Sequence, residues 1–356
     1  MSTTSTGNTG STNPLLYIVI LAFGIAAPFV MPAYIQQVSF LWIFILFALT
    51  WDLQGGQMGY NSFGNIVFFG TGMYVSASTQ VALYFDLGAW NESGGENTFI
   101  HATDEYFIGL AAGLVLSGIV AAALAAFLGS GILGLRGQYF AICTLGLSVA
   151  AGEIAAGIDL IGAGSGMSTP VWPDAADSVI ERGTFFYILC FMLAVATFIA
   201  CKYLYSGRFG MVLNAIRDDE DKAEAMGIHT TRYKALSWTI SAFFLGISGA
   251  IMGNIIGFID PVDVAFTGAT FGVWMVLMAI LGGKGTLWGP VLGAAIFHIM
   301  QELFWTYFLG WQRVALGLLI ILIVVFLPQG ILGSLREHFP EWFGHRLEPV
   351  AVEDEK

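Results

Sequence analysis

Apolar residues fill most of this chain in blocks of about twenty, separated by short polar or glycine-rich stretches. A helix needs about 20 apolar residues to cross the hydrocarbon of a bilayer. Blocks of that length predict spans near 15–33, 35–51, 58–85, 106–129, 138–158, 184–204, 235–256, 266–282, 286–308 and 312–332. The third is long and rich in glycine, which predicts a broken or re-entrant helix, and the stretch from Gly268 to Gly293 is interrupted similarly. A segment in lipid must satisfy its own backbone hydrogen bonds, so the pattern implies an all-α polytopic membrane protein with about ten transmembrane helices. Residues 1–14 read as a disordered Ser/Thr/Gly/Asn tail, 15–335 as a single transmembrane domain, and 336–356 as a polar C-terminal tail. The first tail has no Lys or Arg, so it lacks the positive region of a cleaved signal peptide, and the first apolar block is expected to remain as a span.

One polar segment breaks the rhythm, from Ser206 to Lys234. Within it Phe209, Val212, Leu213 and Ile216 recur at helical spacing, which gives one apolar face. Asp218, Asp219, Glu220, Asp221 and Glu224 cluster behind them, Ala223 and Ala225 are small, and Gly227 suits a helix C-cap. A short helix too polar to insert and too apolar to float predicts docking into a groove on a partner. The plainer alternative is a solvated loop between two spans.

The charges confirm the register of the spans. Ten spans with both termini in the cytoplasm would place Arg136, Lys202, Arg208, Arg217, Lys222, Arg232, Lys234, Lys284, Arg336, Arg346 and Lys356 inside, and only Arg182 and Arg313 outside. That is 11 against 2 of the 13 basic residues, the bias expected of an inner-membrane protein. The outer loops are acidic, with Asp86, Glu92, Glu96, Asp104 and Glu105 in one and Asp159, Asp174, Asp177 and Glu181 in another. Composition agrees: 56% of residues are hydrophobic and 11% charged, under half the charge of a soluble domain. A net charge of −12 excludes a nucleic-acid partner, because phosphate binding needs a basic surface.

Little in the chain resembles catalytic machinery. Gly129-Ser130-Gly131-Ile132-Leu133-Gly134 matches a dinucleotide fingerprint, but an apolar span precedes it where a strand is required. Gly282-Gly283-Lys284-Gly285-Thr286 suggests part of a phosphate loop, yet Met278 stands at the first glycine position and Gly285 replaces the Ser/Thr after the lysine. No complete nucleotide loop exists in this sequence, no cofactor is implied, and any ATP driving the protein would be hydrolysed by another subunit. Cys143, Cys190 and Cys201 sit in apolar runs and read as small buried hydrophobes. His298 and Glu302, one turn apart, could be half a zinc site but more simply form a hydrogen-bonded pair. Glycines four apart, at Gly249/Gly253/Gly257, Gly285/Gly289/Gly293 and Gly109/Gly113, make grooves for close helix approach. These serve either static packing or helices that slide in a transport cycle. Glu153 is the clearest ionisable residue within a span, and near mid-bilayer it would face a cavity or a partner.

Four blocks, in order, resemble the permease family of branched-chain amino acid ABC importers, on the side of its M-type subunit. Gly207 to Gly227, with Ala215-Ile216-Arg217-Asp218-Asp219-Glu220 and Ala223 through Gly227, resembles the cytoplasmic coupling loop of importer permeases. Leu135-Arg136-Gly137, Tyr139-Phe140-Ala141 and Thr144-Leu145-Gly146 are similar to a second family block. Leu281 to Thr286 with Trp288-Gly289-Pro290 and Gly293 is similar to a third, and Ser62-Phe63-Gly64 with Phe68, Gly70, Gly72 and Tyr74 to a fourth. Pro328, Gly330, Ile331 and Gly333 fit the usual ending.

The resemblance implies a type II importer fold, a homologous second permease, two cytoplasmic ATPases and a periplasmic solute-binding protein. It implies ATPase coupling through Ala215, Ile216, Arg217, Asp218, Asp219, Glu220, Ala223, Ala225 and Gly227. The translocation pathway is expected beside the third, fifth and eighth spans, at Asn65, Phe68, Thr144, Ser148 and Glu153. The implied cargo is a branched-chain or other apolar amino acid. Departures at Asn65, Val149, Gly162 to Gly166 and the long loop from Asp86 to Glu105 leave urea, a short amide or an organic acid as alternatives. A self-sufficient carrier or channel is the alternative of another class.

Overall fold

The computed structural model describes residues 14–84, 101–308 and 330–338, with positions 310, 311, 314, 317, 318 and 321. The helices are α1 (Pro14–Val30), α2 (Ile35–Gly55), α3 (Asn65–Tyr84), α4 (Thr103–Ile132), α5 (Gly137–Ala156) and α6 (Arg182–Ser206). They continue as α7 (Arg208–Asp218), α8 (Glu220–Ala225), α9 (Thr230–Ile256), α10 (Val273–Gly282), α11 (Trp288–Tyr307) and α12 (Gly330–His338). Among the described residues seven segments are long and apolar enough to span a membrane: Pro32–Gly55, α3, α4, α5, α6, α9 and Pro261–Gly282. The protein is therefore a helical multi-pass membrane protein. The first expected span appears as the shorter α1, of 17 residues, and the ninth as α11, of 20. The expected tenth span, most of the 86–105 loop and both tails lie largely outside the described residues.

The centre of the bundle is the trio α3, α4 and α9, with α2 beside it carrying α6, α10 and α11. Glycine makes this closeness available. A Cβ placed on Gly249 would stand 2.0 Å from the Phe69 carbonyl oxygen, and one on Gly72 2.0 Å from that of Gly246. Gly249 is thus a point of close helix approach, while Gly257, at φ +86°, closes α9 as a cap.

The third expected span is one unbroken helix, shorter than its block, and the break in helix lies before it. Residues 56–64 leave helix, with Gly59 at φ +79°, and α3 begins only at Asn65. The break is held from within: the Trp51 indole donates to the Ser62 carbonyl at 2.7 Å. The eighth follows one wide turn, Pro261–Ala265, and opens on another, Gly268–Gly272, before α10 begins. At the end of the bundle away from this break, two-residue strands β1 (Met167–Ser168) and β2 (Phe258–Ile259) pair antiparallel. There the Arg182 guanidinium donates to the Asn254 and Ile255 carbonyls at 2.7 and 3.1 Å, placing a cation at the C-terminus of α9. One expectation fails here: His298 is buried against the Phe44 ring, 5.5 Å away, instead of pairing with Glu302.

Candidate functional site

The break at 56–64, the loops 133–136 and 283–287, and α7–α8 all meet at one end of the bundle. This basic end carries Arg136, Arg217, Lys222, Lys234 and Lys284 together, as the charge pattern required. Asp219 divides the 206–234 segment into two helices rather than one: its carboxylate accepts the Lys222 amide at 3.1 Å and caps α8. Gly227, at φ +86°, ends α8, with the Ile228 amide returning to the Ala223 carbonyl at 3.1 Å. The Gly227 cap is where the sequence placed it.

Orientation of α7 differs from the sequence expectation. Leu213 and Ile216 are buried, and Phe209 and Val212 pack beside them, all against this chain's own core. The apolar face therefore closes on the bundle and is not offered to a partner. Ala223 is buried as well. α7 and α8 present outward Arg208, Met211, Arg217, Asp218, Asp221, Lys222, Glu224 and Ala225, and exposed Met226 follows α8. Arg217 braces its own helix, with Nε and Nη2 each 3.3 Å from the Asp218 carboxylate, while Nη1 reaches the Gly56 carbonyl at 3.4 Å.

Glu220 is the centre of the cluster. The Lys234 ammonium, 2% exposed, donates to its Oε1 at 2.6 Å, and the Tyr60 hydroxyl donates to Oε2. Lys234 also donates to the Tyr60 hydroxyl at 3.2 Å. Arg136 closes the far side, 3.5 Å from Glu220, 2.6 Å from Asp221 and 3.7 Å from Glu224. One carboxylate thus joins α8 to the break before α3, the start of α5 and the N-terminal part of α9. Nothing in the sequence marked Tyr60, Lys234 read as an ordinary boundary charge, and Arg136 stood out only within a family block.

Burial raises the Glu220 carboxyl, but the hydrogen bonds from Lys234 and Tyr60 and the charges of Lys234 and Arg136 outweigh it, leaving its pKa below the ordinary value. A depressed carboxylate contributes stability that is complete above its unfolded pKa and is lost as pH falls through the folded one. The junction should therefore be indifferent to pH between about 6 and 8 and loosen only below about 4. Tryptic cleavage after Lys222, followed against pH with a protease control, measures this; loosening already at pH 6 would contradict the geometry.

A second buried carboxylate lies beside it. Asp52, fully enclosed at the end of α2, accepts the Gly285 amide at 2.6 Å and the Tyr205 hydroxyl at 3.1 Å. Gln57 donates to the Gly285 carbonyl at 2.9 Å. The 283–287 loop, which imitated a phosphate loop in sequence, is thereby pinned to the end of α2 by the Gly285 amide and to the break by its carbonyl.

Four of the five expected pathway residues converge where α3, α5 and α9 meet. Asn65 accepts the Trp238 indole at 3.4 Å, its Nδ2 is buried without a partner, and the Phe68 ring stands edge-on to Trp238 at 5.2 Å. Thr144 accepts the Phe63 amide at 3.1 Å, and Ser148 donates to the Leu145 carbonyl at 2.7 Å beside Gly268. All four are buried in this chain. Glu153 is set apart from them. It is exposed, three residues before α5 ends, and so sits near the end of its helix away from the basic cluster instead of mid-span. It terminates an exposed stripe with Tyr139, Ile142, Leu145 and Val149. The sequence reading also missed a buried polar knot in which Gln80 and Asn254 both donate to the Ser76 hydroxyl, at 2.9 and 3.5 Å.

A glycine-packed bundle of spanning helices, with a charged helical unit folded onto one end, is the build of a multi-pass membrane protein. The family described as "Branched-chain amino acid transport system / permease component" has a sequence model that matches residues 34–327, and the chain belongs to that family. It is 26% identical to the high-affinity branched-chain amino acid transport system permease protein LivM of Salmonella typhimurium, over 86% of this chain and 79% of the relative. It is 25% identical to the probable LivM permease of Methanocaldococcus jannaschii, over 82% and 91%. The LivH permease of Escherichia coli is 29% identical over 157 residues, 44% of this chain and 49% of its own. No solved structure matches.

Proposed function

We propose that this chain is the permease subunit of an ATP-driven importer and forms half of the inner-membrane path for branched-chain or other apolar amino acids. Relatives named as LivM permeases match over most of both lengths, which supports that cargo class. Similarity to a LivH permease as well supports pairing with a homologous second subunit. The free stripe of α5 suits that pairing, since a lone span would turn Glu153 toward lipid at a cost of roughly 2–3 kcal/mol at mid-depth and less near the surface.

The observation that carries the reading is the α7–α8 unit. It is anchored inward by Leu213, Ile216 and Glu220, and displays Met211 at 64% and Met226 at 83% exposure among charged residues of both signs. Exposed methionines are adaptable contacts for a groove on a partner. With the basic end in the cytoplasm, that partner is a separate ATPase, and a periplasmic binding protein delivers solute to the opposite end.

One crosslinking experiment tests partner and orientation together. A thiol-reactive crosslinker should join Met226→Cys to the ATPase subunit in membranes of the assembled transporter. Val179→Cys, 86% exposed at the opposite end, should give no such product. A product from Val179→Cys alone would reverse the topology, and a transporting protein that purifies without any ATPase would replace the importer by a carrier.

A further inference from the structure

Between α1, α2, α6 and α11 lies a crevice of 240 Å³ that opens sideways from the bundle, away from the α3–α5–α9 junction. Its walls are apolar, with Ile20, Ile45, Val195, Phe198 and Val291 among them, and its one charged lining residue is Lys202. The ammonium sits 4.5 Å over the Tyr17 ring at the basic end. Among the described residues no carboxylate pairs with it. Trp288 packs on Tyr17 and Phe198, with ring centroids 5.1 and 5.0 Å away, and its Nε1–H is buried without an acceptor. A cation and an orphaned donor thus mark one end of an apolar slot that runs along α6 from Lys202 to Ala194, about 12 Å at 1.5 Å per residue.

We propose that this crevice binds one anionic phospholipid, with an acyl chain in the slot and the phosphate on Lys202. The depth fits. Lys202 lies four residues before the end of α6, where a lysine extends to the headgroups, and Tyr17 and Trp288 occupy the interfacial level that aromatic residues favour. A protein helix is about 10–12 Å across and cannot enter such a slot, whereas a flexible chain can. The selection for negative headgroups follows from an ammonium that has no carboxylate to neutralise it, on the leaflet that carries the anionic surface potential in the orientation proposed above. A zwitterionic choline headgroup would bring its own cation against Lys202.

The test is native mass spectrometry of the purified transporter with its partner subunits, titrated with phosphatidylglycerol or phosphatidylcholine. One basic residue near the surface corresponds to roughly a five-fold preference, so the wild type should retain phosphatidylglycerol about five-fold better. Lys202→Gln should erase the preference and Lys202→Arg keep it. Ile45→Trp, which fills the slot, should reduce retention of both lipids, with the melting temperature recorded to show that each variant is folded. Equal retention of the two lipids by the wild type, or an undiminished preference in Lys202→Gln, would overturn the proposal. So would a crosslink from Val195→Cys to another subunit, which would show protein in the crevice.

Discussion

Glu220→Ala is expected to be the most damaging single change at the basic end. It strands the Lys234 ammonium, 2% exposed, with only the Tyr60 hydroxyl for company. Removing one member of a buried pair costs about 3–5 kcal/mol, because the remaining charge is uncompensated. With Glu220 itself 11% exposed, the lower end of that range applies. The loss should appear as a clear fall in melting temperature and as release of residues 206–229 to protease. ATPase copurification should fall with it, because the α7–α8 surface loses its seat. Glu220→Leu combined with Lys234→Met removes both charges and should recover most of the thermal stability. A Glu220→Ala protein that melts like the wild type would show that the pair does not hold the unit in place.

Gly249→Leu should prevent assembly of the bundle altogether. Its first side-chain atom would lie 2.0 Å from the Phe69 carbonyl and 3.1 Å from the Met73 amide, both backbone groups within a helix. Overpacking a core that can adjust its side chains costs about 1–3 kcal/mol. Here only a shift of whole helices gives room, so the expected cost lies beyond that range. Gly131→Leu is the matched control, since nothing lies within 4 Å of its added Cβ. Fluorescence-detected gel filtration of tagged variants should show a normal peak for Gly131→Leu and aggregate for Gly249→Leu. A monodisperse Gly249→Leu protein would mean that α3 and α9 do not approach as described. Ala223→Trp belongs to the same class: Ala223 is buried in this chain, so the tryptophan overfills the permease itself before it meets any ATPase.

Long-range features were legible where physics repeats along the chain. Spans recur because the bilayer sets one length, and α4, α6 and α9 fall within a few residues of their expected blocks. Alternating charge sorted the loops correctly, as Arg136, Arg217 and Lys234 converge at one end while Arg182 stands at the other. The glycine-rich block 58–85 predicted a broken helix, whereas the structure keeps α3 whole and places the break before it. Illegible features depend on which side of a helix faces the bundle. An amphipathic face at 209–216 means only that something apolar covers it, and periodicity cannot say whether that is a partner or the chain itself. Glu220, Tyr60 and Lys234 lie 160 and 14 residues apart in sequence, too distant for any local spacing to join them. Glu153 drew attention as a charge in an apolar block, yet the more deeply enclosed carboxylate is Asp52, which the expected boundary at residue 51 left just outside its span.

The sharing of Glu220 among distant segments also sets an order on biosynthesis. Tyr60 and Arg136 leave the ribosome well before α8, but Lys234 follows it. Until the N-terminal part of α9 has emerged, the carboxylate has no ammonium to meet, and α8 has no completed seat. The display surface of α7 and α8 is therefore a late product of translation, present only on chains whose early spans already stand side by side. A half-made permease has nothing finished to show a partner.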